Sequence, residues 1–312
     1  MLALDEKGEG VCIACGPPLE FRVVTHEQPR LLRVLGPSAA AVGEPFALHV
    51  GLFDRNGNPC SGFSGTVDFE ANDEAVGLPE KVDIRQQDEG VVIIDGVTML
   101  QAGVFRLQAC CSPLTASSNP ILVEHAPQQY VYWGDVHAHG WGDSTMYLMH
   151  LRSARLDPAA RHDQGRRLGR FDFCCPASMS MDVDQRDEIF GAYREACAAH
   201  DEPGRYVPFL AYEAHPKAGD RQVIFRDYVD EPTPPSMRAP METVREQYGE
   251  RNDVLLQVHI GSDPPHWDIY RPQRERFLEV CSAFGCAEWL LQEALQSSYQ
   301  PGICAASDLH LG

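Results

Sequence analysis

The run GDVHAHG sets two imidazoles two residues apart, at His137 and His139, with a carboxylate just before them at Asp135. In an extended strand residues i and i+2 point to the same face, so such a pair can present two nitrogen donors to one point. Four other apolar runs carry donors of the same kinds: Glu213 after YVPFLAY, His259 after VLLQV, Glu279 within RFLEVCS, and Asp308 with His310 after GICAAS. Imidazole nitrogen and carboxylate oxygen together suit Zn²⁺, Mn²⁺ or Fe²⁺, and such a set needs no thiolate. Singly, each motif has a plainer use. An HxH can be a surface pair, a Glu after a strand a solvated residue, SDLH an N-cap, and His259 a hydrogen-bonded core histidine. Together, donors at five strand ends predict a divalent-metal site.

Those strand ends belong to a segment in which strand and helix alternate. YVYWGDV, RFDFCC, YVPFLAY, VLLQVHI, RFLEVCS and PGICAAS read as buried strands. DVDQRDEIFGAYREACAAH places Ile189, Tyr193 and Cys197 four apart, one face of a helix that Asp182 or Asp184 would cap. METVREQYGER and CAEWLLQEALQS read as further helices. Such alternation over ~180 residues predicts a mainly parallel sheet or a barrel, in which chemistry gathers at the carboxyl ends of strands.

Upstream, LLRVL, PFALHVGLF, GTVDFEA, VVIIDGVTM and GVFRLQACC are short β-favouring runs punctuated by clusters such as DRNGNP and ANDE. They predict an antiparallel β-sandwich, Ig-like in size. Pro113, Pro120 and Pro127 mark its last strand and the linker out of it. All four Trp and all ten Tyr lie at or after Tyr130, so composition changes at the same place. The expected division is a sandwich over 1–128 and an α/β domain over 129–312, which suits a 312-residue chain at roughly 150 residues per domain.

Lys and Arg total 26 against 45 Asp and Glu, a formal charge of −19. Such a surface repels phosphate backbones and anionic lipid, so the expected partner is a small-molecule substrate rather than nucleic acid or membrane. No apolar run approaches the ~20 residues of a membrane span, and MLALDEKGEG has no signal-peptide pattern. Eleven cysteines, an odd count with adjacent pairs at Cys110–Cys111 and Cys174–Cys175, predict reduced thiols and a cytoplasmic location. Cys12 and Cys15 form a CxxC with no second pair to complete a zinc ribbon.

WGDVHAH, AYE followed by AGDRQVIF, VHIGS, FLEVCSAFGCAEWLLQEAL and GICAASDLHLG occur in that order from about Tyr130 to Gly312. Together they resemble the polymerase-and-histidinol-phosphatase (PHP) superfamily, and more closely its carbaryl-hydrolase-like metallohydrolase branch. GVFRLQACCSPLTASSNPILVEH resembles the β-sandwich that precedes the catalytic domain there. The resemblance implies a distorted (β/α) barrel, two or three divalent metals, and hydrolysis of ester, carbamate or phosphoester bonds. His137 and His139 match the first metal-binding pair, Glu213 the carboxylate that bridges two metals, and His259 a later ligand. Asp308 and His310 match the closing Asp-x-His. Asp135 and Glu279 fall on motif positions, either as ligands or as carboxylates that orient them. Asp220 and Arg221, in a loop resembling the family's GGDRN, would be a ligand and a substrate-anion contact, with a plain surface turn as the alternative.

Two departures matter. After RFDFCC the family supplies a further His, whereas this chain reads PASMSMD, and Ala177, Ser178 and Met179 do not replace an imidazole. One or two ions are therefore expected rather than three. The family also continues beyond SDLHLG, so the barrel is expected to be incomplete at its C-terminal side. A metal would lower the pKa of water from ~16 towards ~7, and Asp308 could accept the nucleophile's proton. No GxSxG elbow offers a serine alternative. A rival from another class is a catalytically decayed metal- or ligand-binding protein of the same fold. A third reading makes the sandwich a carbohydrate- or protein-binding module with the second domain as scaffold.

Overall fold

The computed structural model describes residues 28–139, 157–178, 186–261 and 263–308, with the backbone of a short hairpin pairing Leu2–Leu4 and Gly10–Cys12. Residues 31–124 form three small sheets around one core. The first orders Leu31–Leu35, Pro45–Phe53, Val91–Met99 and Ala75–Val76. The second orders Leu114–Ser117, Gln108–Cys111, Gly65–Phe69 and Lys81–Ile84. Pairing in both is antiparallel. In the third, Ile121–Glu124 lies between Gly103–Phe105 and Ala39–Ala41, antiparallel to the former and parallel to the latter. The strands' alternation makes this a sandwich. Leu32 and Val34, Val67 and Phe69, and Ile121 and Val123 each point inward from one face of their strand onto a common core with Leu48, Val50 and Leu52.

The second half builds one nine-stranded mixed sheet. Its elements are β1 (Gly134–His139), α1 (Ala159–Arg167), β2 (Phe173–Ser178), α2 (Arg186–His200), β3 (Val207–Pro208) and β4 (Leu210–Ala214). They continue with β5 (Arg221–Phe225), α3 (Met241–Tyr248), β6 (Val254–Val258), β7 (Glu275–Ser282), β8 (Gly285–Cys286), α4 (Glu288–Gln296) and β9 (Gly302–Ala305). Strand order is β1-β2-β4-β5-β6-β7-β8, with β3 on β2 and β9 on β7. All pairs are parallel except those of β5 with β4 and β6, and of β8 with β7. One end of the sheet therefore collects the carboxyl ends of the parallel strands and the start of β5.

Alternation divides the sheet into an outer and an inner face. Tyr212, Ala214, Val223 and Phe225 meet Phe190, Tyr193 and Cys197 of α2 and Met241, Val244 and Tyr248 of α3. Val258 and Leu278 meet Leu290 and Ala294 of α4. The inner face carries a small apolar layer of Cys175, Ala177, Ala211 and Ile224, and beyond it the polar residues. Three elements differ from the sequence expectation: α1, the short β8, and β5, which begins at Arg221 where a loop is expected. A further difference concerns the thiols. Cys281 and Cys286 face each other across the β7–β8 hairpin, with Cα atoms 4.2 Å apart, and are joined as a disulfide, so the thiols are not all reduced.

The sheet nearly closes on itself. Past β9 the Asp308 N–H donates to the His137 carbonyl at 2.8 Å. The Asp135 carboxylate accepts from the backbone N–H of both His137 and Ser307, each at 3.1 Å. The sandwich abuts the barrel through His49, whose Nδ1 meets the Arg167 carbonyl at 3.1 Å, and through an Arg167–Glu89 ion pair at 2.6 Å. Asp135→Ala removes two hydrogen bonds to a charged acceptor and is expected to cost about 2–3 kcal/mol in urea unfolding, with Asp135→Asn costing less than half as much. Equal stability of Asp135→Ala and the parent would remove this seam from the account.

Candidate metal centre

Five donors gather at the end of the barrel where the parallel strands finish. His137 and His139 come from β1, Glu213 from β4, His259 follows β6, and Asp308 follows β9. None exposes more than 2% of its surface. They converge beneath the surface rather than lining an open cleft. Period-two alternation brings them together: His137 and His139 share the inner face of β1, and His215, one residue past β4, follows Glu213 at the same spacing.

Glu213 is the hub. Its carboxylate lies 2.8 Å from His215 Nε2, 3.2 Å from His259 Nε2, 3.4 Å from His139 Nε2 and 3.9 Å from His137 Nε2. Asp308 Oδ1 adds a second carboxylate oxygen, 3.2 Å from His139 Nε2 and 3.6 Å from His137 Nε2. Behind the rings, His139 Nδ1 meets the Ala177 carbonyl at 3.1 Å, and His137 Nδ1 meets Glu279 Oε2 at 2.9 Å. Both partners accept hydrogen bonds, so each Nδ1 carries a proton, and a ring in its neutral form presents an Nε2 lone pair to Glu213 and Asp308. Lone pair then faces carboxylate. Only an added proton on each ring or a cation between the groups relieves that arrangement in a buried site.

The electrostatics follow the same geometry. Burial is the largest influence on the His137 imidazole and pulls its pKa down, but Glu279, Glu213 and Asp308 together outweigh it and hold the pKa above its ordinary value. Burial would likewise push Glu213 up, yet His139, His215 and His259 hold its carboxyl well below the usual range. His215 is raised, burial being overcome by its hydrogen bond to Glu213 together with the charges of Glu213 and Asp220, whereas burial and then the neighbouring His137 lower His259. Among the described residues, His137 Nε2, Glu213 Oε2 and both ring nitrogens of His259 make no hydrogen bond. Buried polar atoms are normally paired, so these atoms fit the donor set of a cation. Two overlapping groups, His137–His139–Asp308 and His137–Glu213–His259, have donor atoms close enough to hold a metal ion.

The other expected residues divide. Glu279 lies behind the cluster, accepting from Gln257 Nε2 at 2.7 Å as well as meeting His137. Asp135 serves the backbone seam described above. Asp220 Oδ2 accepts from the N–H of Gly261 at 2.9 Å and of Asp263 at 3.0 Å, while its Oδ1 lies 3.4 Å from His215 Nδ1. Gly219 makes this possible: at φ +101° it permits a turn in which any Cβ would fall 2.4 Å from the Pro265 Cα.

Arg221 is not brought to the cluster. As the first residue of β5 it points to the outer face, fully buried, with Nε 3.2 Å from Glu275 and Nη1 donating to the Asp220 carbonyl at 2.9 Å. The expected substrate-anion contact is thus an internal ion pair, because alternation sends residues 220 and 221 to opposite faces. His310 and Met179 lie outside the described residues. Ala177 contributes its backbone carbonyl in place of a side chain. Sequence reasoning missed His215, although Glu213-x-His215 repeats the spacing of His137-x-His139.

No protein-family model matches the chain, and no curated protein matches it. Matches among solved structures include a β-glucuronidase from glycoside hydrolase family 2, with a TM-score of 0.28 and 18% identity over 34% of this chain. This chain spans 12% of that protein's length. At that TM-score the likeness carries no statement about the barrel or its site.

Glu279→Gln leaves the volume at the site nearly unchanged but removes the carboxylate behind His137. Such partners typically set 10–100-fold in affinity, so Zn²⁺ binding measured against a chromophoric chelator is expected to weaken by about that factor. Unchanged affinity would show that His137 is not oriented in this way.

Proposed function

We propose that this chain is a divalent-metal-dependent hydrolase that cleaves an ester, carbamate or phosphoester bond in a small molecule. The observation that carries the reading is the buried convergence of the His137 and His139 Nε2 atoms on the carboxylates of Glu213 and Asp308. The mixed imidazole and carboxylate donors favour Zn²⁺, Mn²⁺ or Fe²⁺, and two groups sharing His137 favour one or two ions. His137, His139, Glu213, His259 and Asp308 would hold them. Bound at such a site, a divalent cation supplies Lewis acidity and lowers the pKa of water from ~16 towards ~7. Glu213 keeps its carboxylate ionised among four imidazoles. Asp308, beside His139 and His137, would hold a proton released near it. Glu279 and the Ala177 carbonyl fix the rings.

The sequence resemblance to the PHP superfamily and its carbaryl-hydrolase-like branch supports the same reading, as does the nearly closed sheet with donors at one end. A decayed, non-catalytic metal-binding protein is the second reading. It is favoured by Ala177, which offers a carbonyl where the resemblance implies an imidazole ligand. For the compartment we propose the cytoplasm. Seven described cysteines are free thiols, against one local pair at Cys281–Cys286. No helix of the described residues is long and apolar enough to cross a membrane.

Protein purified without chelator is expected to carry one or two metals per chain and to hydrolyse p-nitrophenyl acetate, carbamates or phosphate esters. A chelator should abolish turnover, and His137→Ala with His139→Ala should remove metal and turnover together. A metal-free protein that stays inert after reconstitution with Zn²⁺ or Mn²⁺ would reject the hydrolase. Bound metal without turnover would favour the decayed site.

A further inference from the structure

At the other end of the barrel, where the parallel strands begin, the sheet opens onto a cavity of about 820 Å³. That volume lies in the range of small-molecule sites, ~300–1,000 Å³. Its floor is apolar: Phe173, Phe209, Ile224, Leu255 and Cys175. Phe173 and Phe209 meet edge to face with centroids 6.0 Å apart. Its walls and mouth carry Arg205, Arg226, Arg251, Arg274 and Arg276. Five guanidinium groups around one apolar chamber stand out in a chain with 45 acidic and 26 basic residues.

The charges of this mouth are unequally matched. Arg251 binds Glu231 at 2.6 and 2.8 Å and Asp253 at 2.6 Å, Arg274 pairs with Glu250 at 3.4 Å, and Arg226 pairs with Asp227 at 3.4 Å. The carboxylates lining the cavity are already engaged. Asp172 accepts from Arg170 at 3.1 Å and from the Trp133 N–H at 2.8 Å, and Asp253 is held by Arg251. Among the described residues, neither Arg205 nor Arg276 has a carboxylate within ion-pair distance. Arg276 Nε donates to the Gln273 carbonyl at 3.0 Å. The cavity thus joins an apolar floor to surplus positive charge, beside low-dielectric walls that strengthen a charge contact.

We propose that this cavity binds a small amphipathic carboxylate, its alkyl or aryl body on Phe209, Ile224 and Leu255 and its anionic head at the arginine-lined mouth. The site is separate from the metal centre. A layer of amides divides them: Gln222 Nε2 donates to Cys175 Sγ at 3.6 Å, and Gln257 Nε2 donates to Gln222 Oε1 at 3.1 Å. Binding therefore needs no metal and does not depend on hydrolysis.

The test is calorimetric titration of the full chain, with chelator present, using octanoate and 2-naphthoate against their neutral counterparts 1-octanol and 2-naphthalenemethanol. At least one carboxylate should bind saturably at one site, tenfold or more tighter than its alcohol. The better of the two identifies an alkyl or an aryl body. Arg205→Glu with Arg276→Glu, both exposed positions, should weaken the carboxylate at least tenfold while circular dichroism stays unchanged. Leu255→Trp, which fills the floor, should remove binding of acid and alcohol alike. Should that variant not fold, the charge reversal still decides. Absence of saturable binding by either carboxylate, or affinity indifferent to the charge reversal, would overturn the proposal.

Discussion

A carboxylate ringed by imidazoles organises the barrel half of this molecule. Glu213 lies within 4 Å of the Nε2 atoms of four histidines, each supplied by a strand or the residues just beyond one. Outside the ring a second set of acceptors engages Nδ1 of His137 and of His139, so the Nε2 atoms are turned towards the hub. The arrangement is costly as a set of neutral rings and stable when positive charge is shared among them. The strand directions, the turn at Gly219 and the closing contacts at Asp308 all serve to hold acceptors against one another at that point.

Much of this is written in the sequence as period-two spacing. His137-x-His139, Glu213, His259 and Asp308 each end an apolar run, and a strand's pleat fixes which face they share. Arg221 shows the limit. In a loop Asp220 and Arg221 read as neighbours on one site, and only the strand that begins at Arg221 sends them to opposite faces. Gln222 and Gln257, which carry the polar layer behind Glu279, look in sequence like ordinary polar residues within strands. Their importance comes from pairing with each other across β5 and β6.

The helix α1 was hidden for a different reason. AARHDQGRR lacks an apolar stripe, because its buried face is polar. Arg161 Nε donates to the His139 carbonyl at 2.7 Å, and His162 Nδ1 meets the Tyr206 hydroxyl at 2.9 Å, its imidazole lowered to about 3 by burial and by His200. Hydrophobic periodicity detects faces buried against hydrocarbon, and this one is buried by hydrogen bonds. The sandwich was legible because its core follows simple alternation, as in Leu32 and Val34 or Val67 and Phe69.

Asp308 occupies both halves of the design. Its backbone N–H bonds β1, and its carboxylate meets His139, with the residue itself held at a φ of +46°. Seam and donor cluster consequently form one cooperative unit. A fluctuation that parts the last strand from the first also withdraws an oxygen from the imidazoles. A cation bound among the imidazoles would conversely act as a latch on the barrel wall, so that occupancy of the centre and local unfolding of its edge would be linked equilibria.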